Sequence, residues 1–307
     1  MEKQNKQKLI IITGPTSVGK TALGVCLAKK IDGEVISADS IQVYRGFYIG
    51  SAKVTSEEMQ GVPHHLIDIK DPSEEYSAGD FAEHAKMKIE EINDKGKIPI
   101  VVGGTGLYIS ALLFPFDSDC TRDDEFRLKL EKIAEKDGSA KLHEMLEEID
   151  PESAKAIHPN QTVRIVRALE IFKLTGKKKS ELERKTNQSV FDYLLIVLSR
   201  DRKEVYEGIE KRVEQMIKSG LVEEVKGLLS SGVSPNAPAM KGIGYKEILP
   251  HVLDGEPLET CVDLLKQHTR NYAKRQLTYF KKMDKAVFVE YNDVEKIQKK
   301  VKDFLRR

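Results

Sequence analysis

The chain has 307 residues, enough to bury a substantial core in one large domain or two ordinary ones. Its 50 Lys and Arg against 49 Asp and Glu leave a formal net charge of +1, so any nucleic-acid partner must meet a local basic patch. Cys26, Cys120 and Cys261 form no C-x-x-C pair, the start is polar, and no run nears the roughly 20 apolar residues of a membrane span, so a cytoplasmic protein without zinc ribbon, disulfide framework or membrane partner is expected.

The first apolar run, Leu9–Thr13, predicts a buried strand. After it comes Gly14-Pro15-Thr16-Ser17-Val18-Gly19-Lys20-Thr21, a full match to the phosphate-loop pattern G-x-x-x-x-G-K-[ST]. Ala22–Ala28 then predicts a helix. In that context backbone N–H groups converge on an anion at a helix N-terminus, and Lys20 adds a point charge. The pattern names a bound polyphosphate, not a reaction.

A second strand, Glu34–Ser37, leads into Asp39, whose carboxylate falls on the same sheet edge as the loop. Supporting a magnesium ion and acting as a general base are both open to it. His64-His65 follows; adjacent strand histidines point to opposite faces and no third ligand is suitably spaced, so a structural or gating role is expected. A helix over Ala78–Lys95 stops at Gly96, and the strand Ile98–Val102 runs into the turn Gly103-Gly104-Thr105-Gly106. Its glycines permit close approach to a ligand, with Thr105 offering a hydroxyl, or else they simply make a tight turn.

From about 120 to 190 no strand is expected. Amphipathic helices are predicted over Asp123–Glu135, Ser139–Ile149, Thr162–Leu174 and Ser180–Lys185, with breaks at Asp150-Pro151 and His158-Pro159. Arg164 and Arg167, three apart, share one side of the third. The strand Tyr193–Leu198 resumes the sheet, and a helical block runs from Arg202 to Lys282 with a break at Ser230–Ala239. Its last helix carries Arg270, Lys274, Arg275, Lys281 and Lys282 among Asn271, Tyr272, Gln276, Tyr279 and Phe280, and Ala286–Glu290 is a final strand. Each basic segment alone reads as a solvated face; two of them in a nearly neutral chain suggest a phosphate-backbone groove. The fold expected is α/β, a P-loop NTPase-like parallel sheet flanked by helices with an all-helical insertion. The boundaries expected are 1–118, 119–190 and 191–307.

Taken in order, GPTSVGKT, ADSIQVYRGFYIGSAK, PHHLIDI, GGTGLY, RIVRALEIFKLTGK, GIGYKE and YAKRQLTYF closely resemble the bacterial-type tRNA dimethylallyltransferases over nearly the whole chain. The resemblance implies transfer of a dimethylallyl group from dimethylallyl diphosphate to N6 of adenosine 37 in tRNA. It implies that Gly14–Thr21 holds the leaving diphosphate, with Lys20 absorbing charge, Thr21 as the loop ligand for magnesium and Thr16 facing the reacting centre. Asp39 becomes the general base, and Arg212 a second diphosphate contact, although as a lone arginine on an amphipathic helix it reads slightly better as an ordinary ion-pair partner. For the anticodon stem-loop the resemblance implies Asp39, Ser40, Ile41, Gln42, Thr105, Arg127, Val163, Arg164, Ile165, Val166 and Arg167. It adds Lys241, Gly242, Ile243, Gly244, Tyr245, Lys246, Arg270, Lys274 and Arg275. A monomer is expected.

The chain departs from the commonest family pattern at Ser17-Val18, where Ala-Ser is frequent, at Phe47-Tyr48, where Met-Asp is frequent, and at Tyr279 and Lys281, which replace Trp and Arg. None touches Lys20, Thr21 or Asp39. Three rivals share the loop: a small-molecule kinase, an adenylate isopentenyltransferase acting on free nucleotide, and a non-catalytic nucleotide-gated RNA-binding switch. The first two leave the arginine-bearing insertion without a purpose, and the third needs no base beside the acceptor.

Overall fold

A computed structural model describes residues 6–114, 123–184 and 188–307. Cys120, the helix end at Lys185 and the boundary at 118/119 lie outside the described residues. In chain order the elements are β1 (Lys8–Thr13), α1 (Lys20–Ile31), β2 (Gly33–Ala38), α2 (Ser56–Met59), β3 (His64–His65), α3 (Ala78–Asp94), β4 (Ile98–Gly103) and α4 (Gly106–Leu113). There follow α5 (Asp124–Asp137), α6 (Ser139–Ile149), α7 (Pro151–Ala156), α8 (Thr162–Thr175) and α9 (Lys179–Arg184). The chain returns through β5 (Asp192–Ser199), α10 (Arg202–Lys218), α11 (Leu221–Ser230), a 3-10 turn (Pro238–Lys241), α12 (Tyr245–Asp254), α13 (Leu258–Phe280), β6 (Ala286–Glu290) and α14 (Val294–Leu305).

One compact unit comprises residues up to Leu112 and from Phe191 onward; the other is Leu113–Val190. The first is built on a six-stranded parallel sheet in the order β3-β2-β4-β1-β5-β6. Because both faces are covered, β1 is an unbroken apolar run, with Leu9, Ile10, Ile11 and Ile12 all fully buried. Ile10, Ile12, Val35, Ile100 and Ile196 pack with α1 and with Ile297, Val301 and Phe304 of α14 on one face. α3 covers β2 and β4. Its start is fixed by a reciprocal cap, in which Ser77 Oγ accepts from the Asp80 N–H and Asp80 Oδ2 from the Ser77 N–H.

The sheet places the site. β1 lies between β4 and β5, so the chain leaves β1 toward β2 on one side and enters β5 from β4 on the other. Ligands gather outside the carboxyl ends of strands at such a reversal. There the β1 loop, Asp39 after β2 and Gly103-Gly104 at the end of β4 come together.

β3 was not expected. Its two residues extend the sheet edge, and His65 Nε2 donates to Glu34 at 2.8 Å. Burial pushes the Glu34 carboxyl up, but hydrogen bonds from His65, Lys97 and Lys95 outweigh it and hold the pKa at about 2. A carboxyl depressed by folding contributes stability above its unfolded pKa and loses it as pH falls through the folded one. Glu34→Gln is therefore expected to cost about 2 kcal/mol at neutral pH, discounting for the half-exposed Lys95. Urea midpoints taken between pH 7 and pH 2 should show that cost fading below about pH 4.5.

The second unit is helical throughout its described residues, with a core of Leu130, Leu142, Leu146, Ile157, Ile165 and Leu169. Asp150-Pro151 is the expected break, ending α6 at Ile149, and it also starts α7: Pro151 takes the first helical position and Asp150 caps it. Asp150 also accepts from the N–H and the hydroxyl of Ser180, which ties α7 to α9.

Candidate active site

The loop after β1 closes around Lys20. Gly14 has φ of 142°, and a Cβ there would lie 2.6 Å from the Leu198 carbonyl oxygen of β5. Only glycine lets the loop hug the neighbouring strand in this way. Val18 is buried and anchors the loop, while Ser17 adopts φ of 63° with its Oγ buried and without a partner. Lys20 Nζ donates to the carbonyls of Gly14 at 3.1 Å and Pro15 at 2.7 Å. Burial lowers the Lys20 pKa to about 7, assisted by the Arg212 charge and opposed by Asp39.

Two cavities open here. A cavity of about 290 Å³ is lined by Thr16–Ala22 together with Ser37, Gln42, Ala52, Val54, His64 and the Val102–Gly104 turn. A second, of about 450 Å³, is lined by Ser40, Ile41, Tyr44, Tyr76 and Tyr108, by Lys241–Gly244 and Lys246, and by Arg275. Thr16, Asp39, Arg212 and Tyr272 line both. An anion chamber and an aromatic-walled chamber therefore meet at one carboxylate and one guanidinium.

Asp39 Oδ1 accepts from the N–H groups of Ile41 at 2.9 Å and Gln42 at 3.2 Å, an Asx turn that fixes the carboxylate at the junction. Its second oxygen accepts no hydrogen bond from the described residues. Gln42 holds the turn from behind, its Nε2 donating to the Ala52 carbonyl at 3.2 Å. Arg212 is lowered by burial, with Asp39 opposing the shift, so it joins Lys20 as a cation facing this carboxylate. Tyr272 is pushed up to about 12 by burial and then by the Asp39 charge, while contacts with Thr105 and Gln276 restrain it. Magnesium fits this donor set sparingly. Thr21 offers a hydroxyl lining the anion chamber, and among the described residues no three His, Cys, Asp or Glu converge. Diphosphate oxygens and water would supply the remaining ligands, as is usual for this ion.

The sequence pattern described as IPP transferase matches residues 42–283, which span most of both units. The chain belongs to the IPP transferase family. It is 47% identical to the tRNA dimethylallyltransferase of Bacillus cytotoxicus, over 96% of this chain and 94% of that one. The solved full-length tRNA isopentenylpyrophosphate transferase of Bacillus halodurans shares 43% identity at a TM-score of 0.74, covering 98% of this chain and 97% of that one. A eukaryotic dimethylallyltransferase described as acting on tRNA superposes at a TM-score of 0.84 with 33% identity, covering 98% of this chain and 80% of that one. Family and fold thus agree with the α/β, P-loop reading of the motifs.

The structure separates the sequence-derived contacts. Ser40, Ile41, Gln42, Lys241, Gly242, Ile243, Gly244, Lys246 and Arg275 line the two cavities. Val163, Arg164 and Lys274 are exposed. Three expected RNA contacts have buried side chains. Ile165 and Val166 pack in the core of the helical unit. Tyr245 is fully buried, its hydroxyl donating to Glu224 at 2.6 Å and its ring centroid 4.5 Å from that of Phe47. Such side chains cannot reach a solvent-borne ligand. Arg127 and Arg167 both bind buried Glu170, so their first duty is to join α5 to α8. Arg270 meets Glu210 at 3.4 Å.

Sequence reasoning missed Tyr44, Tyr76, Tyr108, Tyr272 and Gln276 as parts of the site. The available signal was on α13, where Thr269, Tyr272 and Gln276 recur at helical spacing on the side away from Lys274.

Proposed function

We propose that this protein transfers the dimethylallyl group of dimethylallyl diphosphate to N6 of adenosine 37 in the anticodon stem-loop of tRNA, in the cytoplasm and as a monomer. The observation that carries the reading is the junction of an anion chamber and an aromatic-walled chamber at Asp39 and Arg212. The family and its named relatives support it.

The chemistry asks for what these residues supply. The exocyclic N6 is a poor nucleophile because its lone pair is delocalised into the purine. Attack on C1 of the allyl chain forms the N6–C1 bond as the C1–O bond breaks, and diphosphate departs with the bonding electrons. Lys20, Arg212 and the N–H groups at the start of α1 stabilise charge gathering on the leaving oxygens. The buried, unpartnered Ser17 Oγ adds a hydroxyl to that lining. Asp39 accepts the proton lost from N6. Thr21 would hold magnesium, which when bound would supply further charge neutralisation of the diphosphate. The adenine must leave the loop stack to enter, which costs a few kcal/mol and less from a loop than from a duplex. Tyr44, Tyr76, Tyr108 and Tyr272 give the unstacked base an aromatic wall.

Incubation with labelled dimethylallyl diphosphate and unmodified tRNA, with AMP and ATP as competing acceptors, tests the reading. Label on tRNA is expected; label on AMP instead would overturn it, as would no transfer to any acceptor.

Arg164 is exposed beside Val163, which is 83% exposed. Arg164→Ala is expected to weaken tRNA binding and reduce the slope of log K against log salt by about 0.7–0.9, the value of one phosphate contact. Filter binding over a salt series measures it. Arg167→Ala should instead show itself first as lost stability, through Glu170.

A further inference from the structure

Gln276 lies on α13 and is buried, yet its carboxamide reaches two loops from different strands. Its Oε1 accepts from the Thr16 N–H at 2.9 Å, and its Nε2 donates to the Gly104 carbonyl at 2.9 Å. The first contact is to the loop that would grip the leaving group; the second is to the turn after β4. Gly104 is shaped for this approach, since a Cβ there would stand 2.1 Å from Gln276 Nε2.

We propose that Gln276 is a positioning residue for prenyl transfer, pinning Thr16 and Gly104 at once and so fixing the phosphate loop against the β4 turn. The proposal rests, for its kinetic consequences, on the transferase reading above. Thr16 lines both cavities, so the direction of its backbone sets a wall of the junction where the C1–O bond breaks. Its N–H is taken by the protein, while Lys20, Thr21 and the start of α1 remain for the anion. The pin therefore governs alignment rather than anion affinity. Tyr272, one turn earlier on α13, faces Gln276 and forms the shared wall, so the same helix carries the pin and part of the acceptor chamber. Displacements of about 1 Å in such a geometry cost on the order of 10²-fold in rate.

Two variants test this. Gln276→Leu keeps approximate shape and removes both hydrogen bonds. It is expected to lower kcat about 10²-fold while KM for dimethylallyl diphosphate moves less than about threefold. Gln276→Glu separates alignment from simple packing. As a neutral acid it can still accept from Thr16 and donate to Gly104; as a carboxylate it cannot donate and repels the Gly104 carbonyl. Its activity relative to wild type is expected to rise as pH falls from about 8 to 5.5, with no such rise for Gln276→Leu. Lys20, Asp39, Glu58, His64, Arg212 and Tyr272 share the chamber, so activity is read as the ratio to wild type at each pH, with Gln276→Leu as the uncharged control. A flat ratio for Gln276→Glu, or wild-type kcat in Gln276→Leu, overturns the proposal.

Hydrogen exchange at the Thr16 amide supplies a readout independent of turnover. At least about tenfold faster exchange is expected in Gln276→Leu under conditions where both proteins are folded, since the amide loses its partner. Unchanged exchange overturns the pin even if the kinetics change. Were wild type to transfer no label, the functional reading would fall and the exchange experiment would still decide this one.

Discussion

Asp39→Asn is expected to lower the rate of dimethylallyl transfer by about 10²–10⁴, the range for removing a positioned general base. Asparagine is the informative replacement because its Oδ1 can still accept from Ile41 and Gln42, so the turn behind the site survives. Asp39→Ala removes base and turn together. Loss of the charge also changes the anion chamber, since Asp39 opposes the lowering of both Lys20 and Arg212. Asp39→Asn removes a repelling carboxylate but also lets Lys20, already lowered to about 7, lose its proton more readily, so its affinity for inorganic diphosphate is expected to match or exceed wild type only below about pH 6. Single-turnover transfer with saturating tRNA, beside equilibrium binding of tRNA and of diphosphate, separates these effects. A normal single-turnover rate with weakened tRNA binding would make Asp39 a recognition residue and remove it from the chemistry.

Much of the sheet is written in local pattern. β1 and the centre of β5 are apolar runs because helices cover both faces, and that signal survives without tertiary knowledge. The phosphate loop is legible for a similar reason, as its glycines and Lys20 act within eight consecutive residues. β3 escaped because its two residues have no period of their own; pairing with β2 and the buried Glu34 make it a strand. α7 escaped because a proline that ends one helix can open the next, and Asp150 tips the balance by capping.

The candidate site was legible where charge meets a motif and illegible where the fold folds back. Asp39 could be found from its strand, but the two cavities that meet beside it could not. Arg212, more than 170 residues beyond Asp39, looked slightly more like a surface ion-pair partner until burial placed it facing that carboxylate. Ile165, Val166 and Tyr245 show the converse, side chains turned into the core within segments expected to meet RNA. A family segment marks neighbourhood, and within it burial decides which side chains can touch a ligand. The same rule divides Arg164 from Arg167: three residues apart on α8, one reaches solvent and the other leans on Glu170.

That inward pairing leads to a large stability effect expected of a single substitution in the helical unit. Glu170 has no exposed side-chain surface, and its carboxylate accepts from Arg127 Nε and Nη2, each at 2.7 Å, from Arg167 Nη1, and from the Asp123 N–H at 2.9 Å. Burial pushes the carboxyl up, but the two guanidinium groups and the backbone donor outweigh it and hold the pKa at about 2. Glu170→Ala removes the acceptor that these donors share and leaves two guanidinium groups side by side. A loss of about 3–5 kcal/mol is expected, as when one partner of a buried ion pair is deleted. Glu170→Gln restores part of the acceptor capacity and should cost less. The sign with pH follows from the depressed folded pKa: the contribution is complete above about pH 4.5 and drains away toward pH 2. Urea midpoints for wild type and Glu170→Gln should therefore converge as pH falls through that window. A gap independent of pH would assign the stabilisation to packing of α5 on α8, and the arginines would then be available to RNA at little cost.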